Sequence, residues 1–147
     1  MAAGLSERVS SLERVLRLVG HLRDRLKFLR PSVRALVQNA AAVEDFGELG
    51  FLDSCRDMME TGMDFPAAWK QSARQAAVPD KEAREILAGL GDILGGSDLE
   101  SQLSAVALCE NRLELRLSEA RENAAQHKKL YCTLGALAGV GAAIILA

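Results

Sequence analysis

The chain has 147 residues, with 18 Lys or Arg against 20 Asp or Glu, 49% apolar residues and 4% aromatics, which fits one domain. Its apolar content is mainly Ala and Leu and is short of the aromatic and β-branched residues that sheets prefer, so an all-β fold is excluded. The apolar fraction and a net charge of -2 also exclude disorder and a globally basic surface, and no nucleic-acid partner is expected.

Residues 5–30 place Val9, Leu12, Leu16, Val19, Leu22, Leu26 and Leu29 at intervals of three and four, which predicts an amphipathic helix. This helix holds seven Lys or Arg and three acids. A basic face of this kind is either solvated or in contact with anionic lipid or an acidic partner, and Arg14, Arg17, Arg23 and Arg25 are its candidate contact residues. Arg30-Pro31-Ser32 ends the helix, because proline disfavours the helical region at the residue before it, and a short helix is expected over residues 32–42.

Residues 44–64 carry seven acids and one Arg around Phe46, Leu49, Phe51, Leu52, Met58 and Met59. A loop and a third helix ending at Thr61-Gly62 are expected. The acidity either neutralises the basic first helix or faces a partner, with Glu44, Asp45, Glu48, Asp53 and Asp57 as the candidates. Asp64-Phe65-Pro66 has the form of a capped helix start, and Trp69, the single tryptophan, is expected in the core. Pro79 opens a fifth helix with Ala83, Ile86, Leu87, Leu90 and Leu94 on its apolar face, stopping at Gly95-Gly96. Ser97-Asp98-Leu99-Glu100 then fits a capping box, and Leu99, Leu103, Val106, Leu113, Leu117, Ala120 and Ala124 keep a near-heptad spacing in a long last helix. The architecture expected is all-α: a cytosolic antiparallel bundle of about five to six helices over residues 1–129.

Residues 130–147, LYCTLGALAGVGAAIILA, form an uncharged run near the length a bilayer requires. A C-terminal transmembrane helix is expected there, in contact with membrane lipid. His127, Lys128 and Lys129 just before it keep the preceding domain cytosolic by the positive-inside tendency. Gly135 and Gly139 make a GxxxG spacing, a small face able to pack against another membrane helix or a second copy of the chain.

Catalytic and cofactor patterns are missing. There is no phosphate-binding loop, no H-E-x-x-H and no nucleophile elbow. The cysteines Cys55, Cys109 and Cys132 are odd in number and hold no C-x-x-C pair, which suggests neither a disulfide framework nor a thiolate zinc site. Charged residues such as Glu114, Arg116, Glu119, Arg121 and Glu122 interleave as ordinary helix-surface pairs. No enzyme activity, metal or cofactor is expected.

The order of features resembles the stage III sporulation protein AB family. The resemblance covers nearly the whole chain: the basic helix, the Ala68-Trp69 helix, Leu94, Gly95, Asp98 and Gln102 in an LG-x-x-D-x-x-x-Q stretch, then Lys129, Tyr131, Leu134 and Gly135 opening the apolar tail. It implies a membrane protein of endospore-forming bacteria, in the mother-cell membrane around the forespore. It also implies a channel complex there, with that complex's secretion-type ATPase and other channel membrane proteins as partners and a cytosolic domain similar to the platform subunit of type II secretion machines. Family members usually also open with an N-terminal transmembrane helix. This chain begins at the basic helix, through a truncated or misassigned start or through a tail-anchored topology. Other readings are a generic tail-anchored adaptor, although the N-W-G-R element of apoptosis-type regulators is absent, and a soluble bundle enzyme with a buried last helix.

Overall fold

Among the described residues the chain forms seven helices and no strand: α1 Ala2–Leu29, α2 Val33–Ala41, α3 Glu44–Gly47, α4 Leu52–Glu60, α5 Phe65–Arg74, α6 Lys81–Ile93 and α7 Leu99–Leu146. This computed structural model describes the backbone of residues 2–96 and 98–146 and the side-chain surroundings of residues 6–96 and 98–126. The helix count exceeds the expected five to six because the acidic segment folds as two helices. Gly50, at φ +75, breaks it, and Phe46, Leu49, Phe51 and Leu52 around the break are all buried. A helix as short as α3 has little intrinsic stability, so tertiary burial holds it in place.

Helices α1 and α7 lie antiparallel. Arg121 pairs with Glu13 at 3.1 Å and Glu110 with Arg23 at 2.7 Å, so partners descend along α7 as they ascend along α1. Helix α1 buries Leu12, Val15, Leu18, Val19, Leu22 and Leu26. That stripe is wider than the predicted one because α7 packs on it together with α2 and α3. Its last turn runs past the core: Leu29, expected on the apolar face, is 59% exposed and Phe28 is 72% exposed. Arg30 then turns the chain at φ +46 ahead of Pro31, and Ser32 caps α2 by accepting the Ala35 N–H at 3.2 Å.

Helices α5 and α6 form a hairpin built on Trp69. The indole is fully buried and donates its Nε1–H to the Leu87 carbonyl at 2.7 Å. Its ring meets Phe51 edge-on at 5.2 Å and Phe65 at 5.7 Å. Gly91 makes the close approach possible, since a Cβ there would lie 3.1 Å from both the Pro66 carbonyl oxygen and the Trp69 ring. The loop between α3 and α4 is tied to the loop between α5 and α6 by the Ala77 N–H, which donates to the Leu49 carbonyl at 2.8 Å.

The helix starts depart from expectation in detail. Asp64 is the N-cap of α5 but makes no side-chain cap bond. Pro79 precedes the start of α6, whose N-cap is Asp80. Ser97 lies outside the described residues, and Asp98 caps α7, with its Oδ1 accepting the Glu100 N–H at 3.2 Å. Helix α7 continues without a break to Leu146. Among the described residues no helix is long and apolar enough to cross a membrane. The expected span over residues 130–147, the division at residue 129 and the Gly135–Gly139 face lie outside the residues whose side chains are described.

Replacing Trp69 with Ala should cost about 3–5 kcal/mol, the range for removing a buried large aromatic. Trp69→Phe should cost less, because it keeps most of the apolar contact and loses the indole hydrogen bond. Urea unfolding followed by circular dichroism measures both, and a cost under about 1 kcal/mol for the alanine variant would contradict a core role.

Candidate interaction surface

The charged residues fall into three groups according to what they touch. At the centre of the first is Asp80, whose side chain is 1% exposed although it caps a surface helix. Its Oδ1 accepts the Ala83 N–H at 2.9 Å, the helix-capping bond. Its Oδ2 accepts from Arg8 of α1, Nε at 3.0 Å and Nη2 at 2.9 Å, and from Arg116 of α7, Nε at 3.2 Å and Nη2 at 2.9 Å. Arg116 is also paired with Glu82 at 3.1 Å and with Glu119 at 2.9 Å. Burial works against the charge of Asp80, but the bonds from Arg116, the Ala83 N–H and Arg8 outweigh it and hold the carboxyl below its ordinary pKa. The carboxylate is charged at neutral pH and joins α1, α6 and α7 at one point.

The second group joins the basic helix to the acidic segment. Arg14 bonds Asp45 at 3.3 Å and Glu48 at 2.9 Å, and Arg17 bonds Asp45 at 2.6 Å. The Arg17 and Arg14 bonds hold the Asp45 carboxyl below its ordinary pKa, against a smaller upward push from burial. The structure thus brings together Arg14, Arg17, Asp45 and Glu48, and each neutralises another. Arg23 is engaged by Glu110 across the α1–α7 seam. Asp53 and Asp57 share Arg56 of their own helix, at 3.2 and 3.7 Å.

The third group is what stays unengaged. Glu44 is exposed, and Arg25 is half-buried beside His21. The His21 ring lies edge-on to Phe46 at 5.5 Å, and its Nε2 is buried without a hydrogen-bond partner. Burial, reinforced by Arg25 and opposed by Asp24, pushes its pKa below the ordinary value, so the ring is neutral at pH 7.

The LG-x-x-D-x-x-x-Q stretch proves to be the joint between α6 and α7. Leu94 is buried and Gly95 turns at φ +84, where a Cβ would come within 2.9 Å of Val33. Gln102 reaches back along α7, accepting the Gly95 N–H at 3.3 Å and donating to the Gly96 carbonyl. These residues fix where the last helix begins. The long-range partners of Asp80 and the exposure of Phe28 and Leu29 escaped the sequence reading. A cap position was legible at Asp80, but nothing in a single sequence marks which distant arginines reach it.

Two open depressions of about 530 and 680 Å³ lie over the start of α6. The walls carry Glu7, Ser10, Ser11, Glu48 and Arg84 in one and Glu82, Glu85 and Arg112 in the other, and no histidine or cysteine lines either. Among the described residues no cluster of three His, Cys, Asp or Glu could hold a metal ion. Burial raises the thiol pKa of Cys55 to about 11. It also raises that of Cys109, with Arg112 lowering and Glu110 raising it to lesser extents, so both thiols are protonated at neutral pH.

The fold and this surface define an all-helical body whose charged side chains serve mainly to lock helices together. The family model for stage III sporulation protein AB matches residues 1–147, and the chain belongs to that family. Membership implies a role in sporulation. A solved structure of stage III sporulation protein AB (SpoIIIAB) is similar, with TM-score 0.67 and 21% identity, covering 81% of this chain and 97% of that one. At that identity the likeness shows the fold. Among curated proteins nothing matches the chain.

Asp80→Ala should destabilise the protein by about 2–3 kcal/mol, below the range of about 3–5 kcal/mol for breaking a fully buried ion pair because both arginines remain partly wet. Asp80→Asn keeps a capping side chain and should cost about 1 kcal/mol less. The depressed pKa of Asp80 makes its contribution complete above the unfolded carboxylate value of about 4, and lost as pH falls through the folded value. Thermal unfolding from pH 7 to pH 3 should therefore show a shallower acid decline in Asp80→Asn than in wild type. His21 acts in a different window: the unfolded chain takes up its proton below about pH 6.5 and the folded chain only at lower pH. His21→Phe should flatten the stability profile between pH 7 and pH 5, and an unchanged slope would mean the ring gains a proton in place.

Proposed function

We propose that this protein is a membrane-tethered docking platform of the sporulation channel complex between mother cell and forespore. Its helical body receives the complex's secretion-type ATPase on the cytosolic side. The protein itself contributes contacts, not catalysis. The observation that carries this reading is the continuity of α7. One helix of 48 residues packs along α1 and α6 in the body and runs on into the uncharged segment over residues 130–147. At 1.5 Å per residue that helix rises about 70 Å, long enough to serve as both a core element and a span. A body joined to its tether by unbroken helix transmits displacement, whereas a flexible linker absorbs it.

Internal pairing narrows the contact surface. Arg14, Arg17, Asp45 and Glu48 are engaged with one another and Arg23 with Glu110. Of the charged candidates, this leaves Arg25 and Glu44 unpaired among the described residues, and Asp53 and Asp57 engaged only by Arg56 of their own helix.

The full chain should pellet with membranes and need detergent for release, and removing residues 130–147 should release a body that keeps its helical circular dichroism. A full chain that stays in the supernatant without detergent would remove the tether. The detergent-solubilised chain should capture the ATPase, and reversing Arg25, or Glu44, Asp53 and Asp57 together, should weaken capture several-fold through the loss of charge complementarity. Capture untouched by either change would exclude both sets.

A further inference from the structure

We propose that the corner between α1 and α2 is a docking site for an acidic protein surface, with Phe28 and Leu29 as apolar anchors and Arg25, Lys27, Arg30 and Arg34 as a cationic rim. Phe28 is 72% and Leu29 59% exposed, and they are adjacent on the last turn of α1. Large apolar side chains held in water side by side, framed by charge, are the composition of an interface centre. Among the described residues none of these four cations forms an ion pair, whereas Arg14, Arg17 and Arg23 on the same helix each do. Asp24, the acid beside them in sequence, is engaged by Arg23 at 3.3 Å. Lys27 holds its ammonium 5.5 Å from the Phe28 ring centroid, which keeps a cation against the anchor. Cations near a helix C-terminus are favoured by the helix dipole, and that accounts for Lys27. It leaves the two exposed apolar residues and the charges on Arg30 and Arg34 unexplained.

The same chemistry suits an anionic bilayer, and the geometry of the hairpin decides between the two. The pairs Glu13–Arg121 and Arg23–Glu110 set Phe28 beside the first turns of α7, at the end opposite to where α7 leaves for the tail. The separation along α7 from there to residue 130 is about 35–40 Å at 1.5 Å per residue. A corner that far from the tether faces the cytosol, where a protein with carboxylates around an apolar recess is the matching surface. This step rests on the tethered-platform reading. It adds the place of contact and its chemistry.

The test uses full chain in nanodiscs of neutral phosphatidylcholine, with the complex's ATPase as probe in a binding titration. Wild type should bind, at least tenfold more weakly when salt is raised from 0.1 to 0.4 M, as screening of a charged rim requires. Phe28→Ser with Leu29→Ser should weaken binding tenfold or more. Arg25→Glu, Lys27→Glu and Arg34→Glu together should weaken it similarly and abolish the salt dependence. Lys81→Glu with Arg112→Glu, the same kind of charge change on exposed positions elsewhere, should leave it unchanged. Circular dichroism and melting temperature establish that each variant folds, and the salt titration of wild type gives a result that depends on no variant. No binding by wild type overturns the platform reading and this inference with it. Wild-type binding that is insensitive to salt, or to the corner variants, overturns the inference alone. Effects of the corner variants that appear only in phosphatidylglycerol nanodiscs would assign the corner to lipid and overturn it as well.

Discussion

Asp80 is the point on which the arrangement of the body depends. One carboxylate caps α6 and accepts both Arg8 from the start of α1 and Arg116 from the middle of α7. Apolar packing between long helices is tolerant of sliding, because one leucine fits nearly as well as the next along a stripe. A buried ion with fixed partners is not tolerant, since any slip leaves a charge unpaired in a poorly solvated site. The clamp therefore sets the register of the α1–α7 hairpin and the angle at which the α5–α6 hairpin docks on it. The Trp69 cluster supplies apolar stabilisation within that hairpin, and Asp80 relates the hairpin to the rest.

The charged segments take on a different meaning in this light. A basic first helix and an acidic stretch that begins at Glu44 leave two readings open in sequence, mutual neutralisation or surfaces awaiting partners. In the fold Arg14 and Arg17 lie against Asp45 and Glu48, and much of that charge is consumed in seating α3. Exposed pairs of this kind contribute little stability each, but they select which short helix packs where. What remains open to a partner lies at the ends of the helices.

Much of the fold was legible from pattern alone. The helix boundaries at Pro31, Gly62 and Gly95 and the buried Trp69 follow from local chemistry that the sequence states directly. The split of the acidic segment was not legible, because α3 has four residues, too few for a periodicity, and exists by burial of Phe46 and Leu49. Leu29 was placed on the apolar face because periodicity records spacing and is silent on where the neighbouring helix stops. The Arg8–Asp80–Arg116 clamp spans more than one hundred residues, and no single-sequence rule links its members. Of the contact candidates, Arg25 was found through its place in a basic helix. Phe28 falls between Leu26 and Leu29, off the apolar spacing of α1, so the pattern assigns it no place.

The turn at Arg30 carries a consequence for how the α1–α2 corner is made. Its backbone lies in the left-handed region at φ +46, which disfavours every side chain and suits glycine. Three other turns of this chain in that region, at positions 50, 62 and 95, do use glycine. At Arg30 alone among the described residues the chain keeps a full side chain there, at a conformational cost of about 1 kcal/mol. The bend is thus the strained position of the fold, and the strain is borne where a long cation projects beside two exposed apolar residues.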